Sequence, residues 1–287
     1  MITQKFPFLL PIRVAQRKAF FYTAMRRDGR AYAQTIQDQC LPHKLCFSEH
    51  GLYNADTGFD MIYQENKVYN LKLAANTLNG LLIKPGETFS FWLAVRHANK
   101  HTPYKDGLVF KNGQLGISAG GGLCQMSNLL FWLFLHSPLT IAERHTHRIQ
   151  GFPTSLGTGM DATVSEGWLD LKVTNETDTT FQIGIDFSGA NISGMLYTDR
   201  ALPAIYEIEG KDLAYFRENG VVRQEISIYR REIDSVTRRL CSESLLYRNV
   251  CVIGYQLPDY TPISEEGDRK YEQKKNSRDF RRLLAGI

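Results

Sequence analysis

Three consecutive glycines run into a cysteine at Gly120-Gly121-Gly122-Leu123-Cys124-Gln125, directly ahead of an apolar stretch. Glycine takes positive φ at little cost, so three in a row can turn their amides toward one anion. A cysteine in the first turn of the helix that follows feels the positive end of the helix dipole, which favours the thiolate. Those amides are also placed to hold the oxyanion of a tetrahedral intermediate. Gln125 serves equally as a side-chain donor to such a site or as part of the helix cap.

A thiol nucleophile needs a base, and the base needs an orienting group. His145 and His147 stand two residues apart in Glu143-Arg144-His145-Thr146-His147, on a segment that reads as a strand and would turn both rings to one face. Asp161 opens the next segment and supplies a carboxylate. Cys124, His147, Asp161 and His145 are therefore the candidate catalytic residues, with His147 ranked above His145. Gly120, Gly121, Gly122 and Gln125 are the candidate ligand or oxyanion residues. The same Cys124, His145, His147 and Asp161 are ligand types that zinc accepts, which makes a zinc site one alternative. A binding module whose glycine loop cradles a ligand carboxylate is another. The leading expectation carries no metal and no cofactor. Cys40, Cys46, Cys241 and Cys251 lack the paired spacing of a zinc cluster. Glu143-Arg144 reads as a structural ion pair or a solvated face.

The elements that must position these groups follow from periodicity. Residues 66–82 place Val68, Leu71, Ala75, Leu78 and Leu82 on one helical face. Pro85-Gly86 turns the chain into a strand carrying Phe89 and Phe91. Residues 98–122 read as loop with at most one short strand near 108–110. Residues 125–136 are apolar on every side, the mark of a helix buried nearly all round, and 139–147 alternate as a strand. Segments 168–173, 181–187 and 192–197 alternate between turn sequences and predict an antiparallel meander. Segments 221–233 and 245–255 predict a further hairpin-like pair. Residues 12–27 mix apolar and basic side chains in an amphipathic helix, expected to dock its aromatic face on the protein, with peripheral contact to a membrane surface as the other use.

The fold class is therefore α+β: a buried, cysteine-bearing helix on an antiparallel sheet, a layout that resembles the papain-like and transglutaminase-like core. The expected organisation is an N-terminal helical segment (1–59), an α+β domain (60–200), a small β-rich region (201–263) and a charged tail (264–287). A length of 287 residues with 43% hydrophobic content suffices for a substantial core. A net charge of +4 from nearly balanced signs argues against nucleic acid as a partner. Five unpatterned cysteines, no signal-peptide pattern and no apolar run near the roughly 18 residues of a spanning helix lead to the expectation of a soluble, cytoplasmic protein.

Four blocks carry a family resemblance over about residues 60–200: Pro85-Gly86-Glu87-Thr88-Phe89-Ser90-Phe91, Gly120-Gly121-Gly122-Leu123-Cys124-Gln125-Met126-Ser127, Glu143-Arg144-His145-Thr146-His147 and Asp161-Ala162-Thr163-Val164. In this order they resemble the VanW family. The resemblance implies a setting in cell-wall peptide metabolism under glycopeptide antibiotics, with a cell-wall peptide or precursor as partner. It maps functional motif positions onto Gly121, Gly122, Cys124, Gln125, His147 and Asp161, and less securely onto His145.

Overall fold

The computed structural model describes residues 7–111, 114–151 and 158–265. Among them run four α-helices, α1 (Leu10–Arg27), α2 (Ile62–Leu78), α3 (Phe91–Val95) and α4 (Leu123–Leu135). The apolar run 129–135 forms the body of α4. Met126, Leu129, Leu130, Phe131, Leu133, Phe134 and Leu135 are all fully buried, so this helix is core on nearly every side. It packs on strands β2 (His43–Gly51) and β11 (Asn191–Thr198).

Those strands belong to a sheet of order β2-β11-β10-β3, with β10 at Phe181–Ser188 and β3 at Leu82–Ile83. The β10–β11 hairpin turns where the sequence breaks alternation, pairing Ser188 with Asn191. A second sheet has the order β1-β4-β9-β7: β1 is Ala31–Tyr32, β4 Glu87–Ser90, β9 Lys172–Thr174 and β7 Thr140–Glu143. A third consists mainly of three long antiparallel strands, β12 (Ala204–Glu218), β13 (Val221–Asp234) and β14 (Leu240–Ile253). Two short strands edge it in parallel, β15 (Ile263–Glu265) on β12 and β8 (Ile149–Gln150) on β14.

Several expectations are corrected. The meander does not run through three strands: β9 pairs with β4 and β7, and only β10 and β11 form a hairpin. Phe91 is not in a strand, because the Ser90 hydroxyl accepts from the Leu93 amide and starts α3 there. The glycine-rich stretch before Cys124 is not loop but a hairpin, β5 (Asp106–Lys111) with β6 (Gln114–Ala119). The segment 1–59 is not simply helical, since β2 lies in it and completes the sheet under α4. Strand β7 ends at Glu143, ahead of both candidate histidines. Residues 266–287 of the expected tail lie outside the described residues.

Helix α1 divides along its length. Tyr22 and Met25 are buried against the protein, whereas Leu10, Ile12, Val14 and Phe20, with Phe8 in the turn that precedes the helix, are exposed together with Arg13. Among the described residues no helix is long and apolar enough to cross a membrane.

Candidate functional site

Gly122 is the N-cap of α4 with φ +98°, a left-handed conformation that a side chain rarely adopts. Gly121 is needed for a different reason. A Cβ there would lie 2.2 Å from the carbonyl carbon of Gly107, so strand β5 crosses the loop with no room to spare. This close approach sets Cys124 in the first turn of α4, partly buried and facing a cleft of about 1110 Å³. Two of the three glycine amides are already committed: Gly120 donates to Lys105 O at 3.1 Å and Gly121 to Ser118 O at 3.1 Å. The expected three-amide anion nest is therefore not formed. The amides of the first helical turn, Leu123 and Cys124, have by position no intrahelical acceptor. Gln125 lines the cleft and its side-chain amide donates to Gly51 O at 2.8 Å, fastening α4 to the end of β2.

The acid segment is held against α4 one turn beyond the cysteine. Ser127 Oγ donates to Ala162 O at 2.6 Å, and Asn128 Oδ1 accepts from the Ala162 amide at 2.7 Å. Asp161, Thr163 and Val164 are placed by that clamp. Cys124 Sγ lies 3.5 Å from Thr163 Oγ1 and 3.7 Å from Val164 O. The Thr163 amide in turn donates to His145 O at 2.8 Å, which brings the histidine segment alongside.

Asp161 is the hub of this arrangement. Its Oδ2 receives the His147 amide at 2.9 Å and contacts His147 Nδ1 at 2.7 Å. Its Oδ1 receives the Thr146 hydroxyl at 2.8 Å and Arg144 Nη2 at 2.9 Å. His147 and Cys124 both line the cleft and are electrostatically coupled, each favouring the charged form of the other. Imidazole and carboxylate are thus hydrogen-bonded to each other, and the thiol, held by Thr163 and Val164, is coupled to the imidazole. Arg144, only 8% exposed, is itself held by Asp161 O, Gly159 O and Asn249 Oδ1 at 2.6–2.9 Å, between the rings of Phe131 and Tyr247.

The protonation states follow from this geometry. Burial pushes the Cys124 thiol up, but the coupling to His147 and the hydrogen bonds with Thr163 and the Val164 backbone outweigh it and leave the thiol below its ordinary range. Burial disfavours a charged His147, yet the bond to Asp161 and the coupling to Cys124 raise it to about 9. Burial also opposes ionisation of Asp161, and His147 together with the Arg144 charge brings it down to about 2. These couplings favour charge separation between Cys124 and His147, with Asp161 as a carboxylate behind them.

His145 is not part of that group. Its Nε2 bonds Glu143 Oε1 at 3.0 Å, and Glu143 in turn pairs with Lys172 at 2.8 Å. Glu143 and Arg144 do not pair with each other, because their side chains leave for different partners. Nor do Cys124, His145, His147 and Asp161 converge as a tetrad. Among the described residues no three His, Cys, Asp or Glu side chains are arranged to hold a metal ion. Residue spacing alone did not reveal Ser127, Asn128, Thr163 or Arg144 as contributors. Three of them lie inside the quoted blocks, and Asn128 directly follows one. That placement is the one signal they give.

Fold and site together define a mixed α+β protein with a cysteine–histidine–aspartate group at a helix N-terminus, opening on a cleft. The chain belongs to the VanW family, for the VanW like protein family matches residues 66–197. It is 54% identical over 267 residues to the "Vancomycin B-type resistance protein VanW" of Enterococcus faecalis (strain ATCC 700802 / V583), covering 92% of this chain and 97% of that protein. The "Uncharacterized protein YoaR" of Bacillus subtilis (strain 168) is 30% identical over 136 residues, 47% of this chain and 44% of that one. No solved structure matches the chain.

Proposed function

We propose that this VanW-like protein is an accessory factor of vancomycin resistance that acts as a cysteine-dependent acyl-transfer or amide-hydrolysis enzyme on cell-wall peptides. The observation that carries this reading is His147, hydrogen-bonded to Asp161 at 2.7 Å and electrostatically coupled to Cys124 in the same cleft wall. That is the arrangement of an activated nucleophile, its acid–base partner and the group that orients the partner. A cysteine helix packed on an antiparallel sheet supports reading the layout as papain-like.

In the proposed reaction Cys124 Sγ, as thiolate, attacks the amide carbonyl carbon and the carbonyl π electrons move onto oxygen. The backbone amides of the first α4 turn, which have no intrahelical acceptor, are the donors proposed for that oxyanion. The imidazolium of His147 gives its proton to the leaving nitrogen as the C–N bond breaks, leaving a thioester on Cys124. Neutral His147 then takes a proton from water, or from an acceptor amine, as that nucleophile attacks the thioester. The thiolate departs and the starting pair is restored. A thiol that must stay reduced fits a cytoplasmic site of action, on precursors of the wall.

Alkylation tests this reading. With the full chain at pH 7, iodoacetamide modifies Cys124 at least about tenfold faster than free cysteine, and Cys124→Ser removes the fast phase. A rate no greater than that of free cysteine refutes a nucleophilic role.

A further inference from the structure

The reactive group occupies one part of the cleft wall, and a second group of polar residues lines the same cleft. Lys18, Arg96, Tyr104 and Glu166 all line it. Lys18 and Glu166 are ion-paired, and Tyr22 donates its hydroxyl to Glu166 at 2.9 Å, so the carboxylate of Glu166 is engaged. Arg96 differs. Its guanidinium lies 4.2 Å from the centroid of the Tyr22 ring, and no carboxylate among the described residues reaches it within ion-pair distance. Stacking on a ring uses the face of a guanidinium and leaves its edge donors for another partner.

A charge count over the lining makes the point sharper. Lys18 cancels Glu166, and proton transfer between Cys124 and His147 leaves the net charge of that pair unchanged. The charge left over is the one on Arg96. The same cleft lining holds a donor without an acceptor. The Tyr104 hydroxyl is buried and has no hydrogen-bond partner, its ring packs 3.6 Å from where a Gly120 side chain would begin, and burial and the nearby Glu166 push it up to about 12, so it stays protonated. A buried hydroxyl without an acceptor is costly, and in a ligand site it commonly marks where a ligand atom belongs.

We infer that Arg96 and Tyr104 form a carboxylate-binding subsite, so that the cleft takes peptides through a free C-terminal carboxylate. This rests on the peptide-directed reading above and adds what it lacks, the chemical feature of the substrate that is recognised. Arg96 supplies the charge-assisted fork, and Tyr104 the neutral donor that would otherwise go unsatisfied. A substrate carrying a C-terminal carboxamide would leave the guanidinium unpaired on binding. Discrimination by the site then depends on that desolvated cation.

Calorimetric titration of the full-length chain with N-acetyl-lysyl-D-alanyl-D-alanine and with its C-terminal carboxamide tests the inference without depending on turnover. The expected result is that the free acid binds at least about tenfold more tightly than the amide. Arg96→Gln brings the two together, Arg96→Lys restores part of the preference, and Tyr104→Phe weakens the acid several-fold while changing the amide less. Circular dichroism and thermal melts of each variant show whether the fold is kept. Equal affinity for acid and amide, absence of binding by both, or a preference that survives in Arg96→Gln with Tyr104→Phe overturns the subsite. The alkylation rate of Cys124 is measured separately, so an inert thiol with a preserved acid preference would sink the enzymatic reading and leave the subsite standing.

Discussion

At the scale of single residues the site is governed by where one proton resides. Asp161 and Cys124 favour a charged His147 against burial, so removing Asp161 or the imidazole itself favours the proton on sulfur. His147→Asn leaves Cys124 with burial as its dominant influence, which raises the thiol. The alkylation rate at pH 7 then falls at least about tenfold, and its pH profile moves toward that of a simple thiol. Asp161→Asn has the same sign but a smaller size, since the imidazole keeps its coupling to sulfur. In the parent protein the acid limb of that profile lies below the ordinary thiol range, and a second change near pH 9 marks loss of the His147 proton. Stability follows with the same signs. The His147 contribution is complete below its ordinary value near 6.5 and is lost as pH rises through about 9. The Asp161 contribution is complete above its ordinary value near 3.9 and is lost as pH falls through about 2. Urea titrations at pH 3, 6 and 10 check this, with maximum stability expected at pH 6.

At the scale of elements, the sequence was readable wherever one element explained its own pattern. The all-round apolar run gave the core helix, and alternation broken by a turn gave the β10–β11 hairpin. Glycine, lysine and aspartate in β5 and β6 hid a hairpin, because its purpose is to cross the glycine loop and not to bury an apolar face. That purpose is open to test. Gly121→Ala forces a Cβ to within 2.2 Å of Gly107 backbone, which has no flexible end to yield. Gly120→Ala meets the Tyr104 ring at 3.6 Å and Leu123 at 3.8 Å, both ordinary contacts, so its cost is that of the positive φ. We expect the first to cost about 3 kcal/mol or more and the second about 1–2 kcal/mol, measured by chemical denaturation. The exposed half of α1 supports a second expectation. Its apolar and basic side chains suit an anionic lipid surface, so the full chain floats with phosphatidylglycerol vesicles and the combined Phe8→Glu, Leu10→Glu and Ile12→Glu variant does not. Equal flotation of the two refutes a membrane role for this helix.

At the scale of the whole molecule, the catalytic candidates lie between residues 124 and 161, yet their support comes from far along the chain. Asn249 and Tyr247 sit on β14, beyond the family-matched residues 66–197, and reach back to Arg144 and to Gly159 O. Strand β8 follows His147 directly and is pinned by β14, with Val252 donating to Arg148 O at 2.9 Å. No local signal carried this. A pattern of alternating residues announces that β14 is a strand, but only the packed structure shows that its side chains brace an arginine more than one hundred positions earlier. Arg144 is the link, and its removal leaves the Asp161 charge without its buried counter-ion. Arg144→Met therefore destabilises the protein by about 3 kcal/mol, raises Asp161, and frees its carboxylate from the orientation that holds the His147 ring, and so slows alkylation of Cys124 at neutral pH. Asn249→Ala loses one hydrogen bond to a charged group, about 1.5–3 kcal/mol, and slows alkylation less. If the third sheet acts on the site through Arg144, the double variant Arg144→Met with Asn249→Ala is no slower than Arg144→Met alone, a coupling as large as the Asn249 effect itself. Additive losses in that cycle would mean that β14 supports the fold without setting the protonation of the thiol.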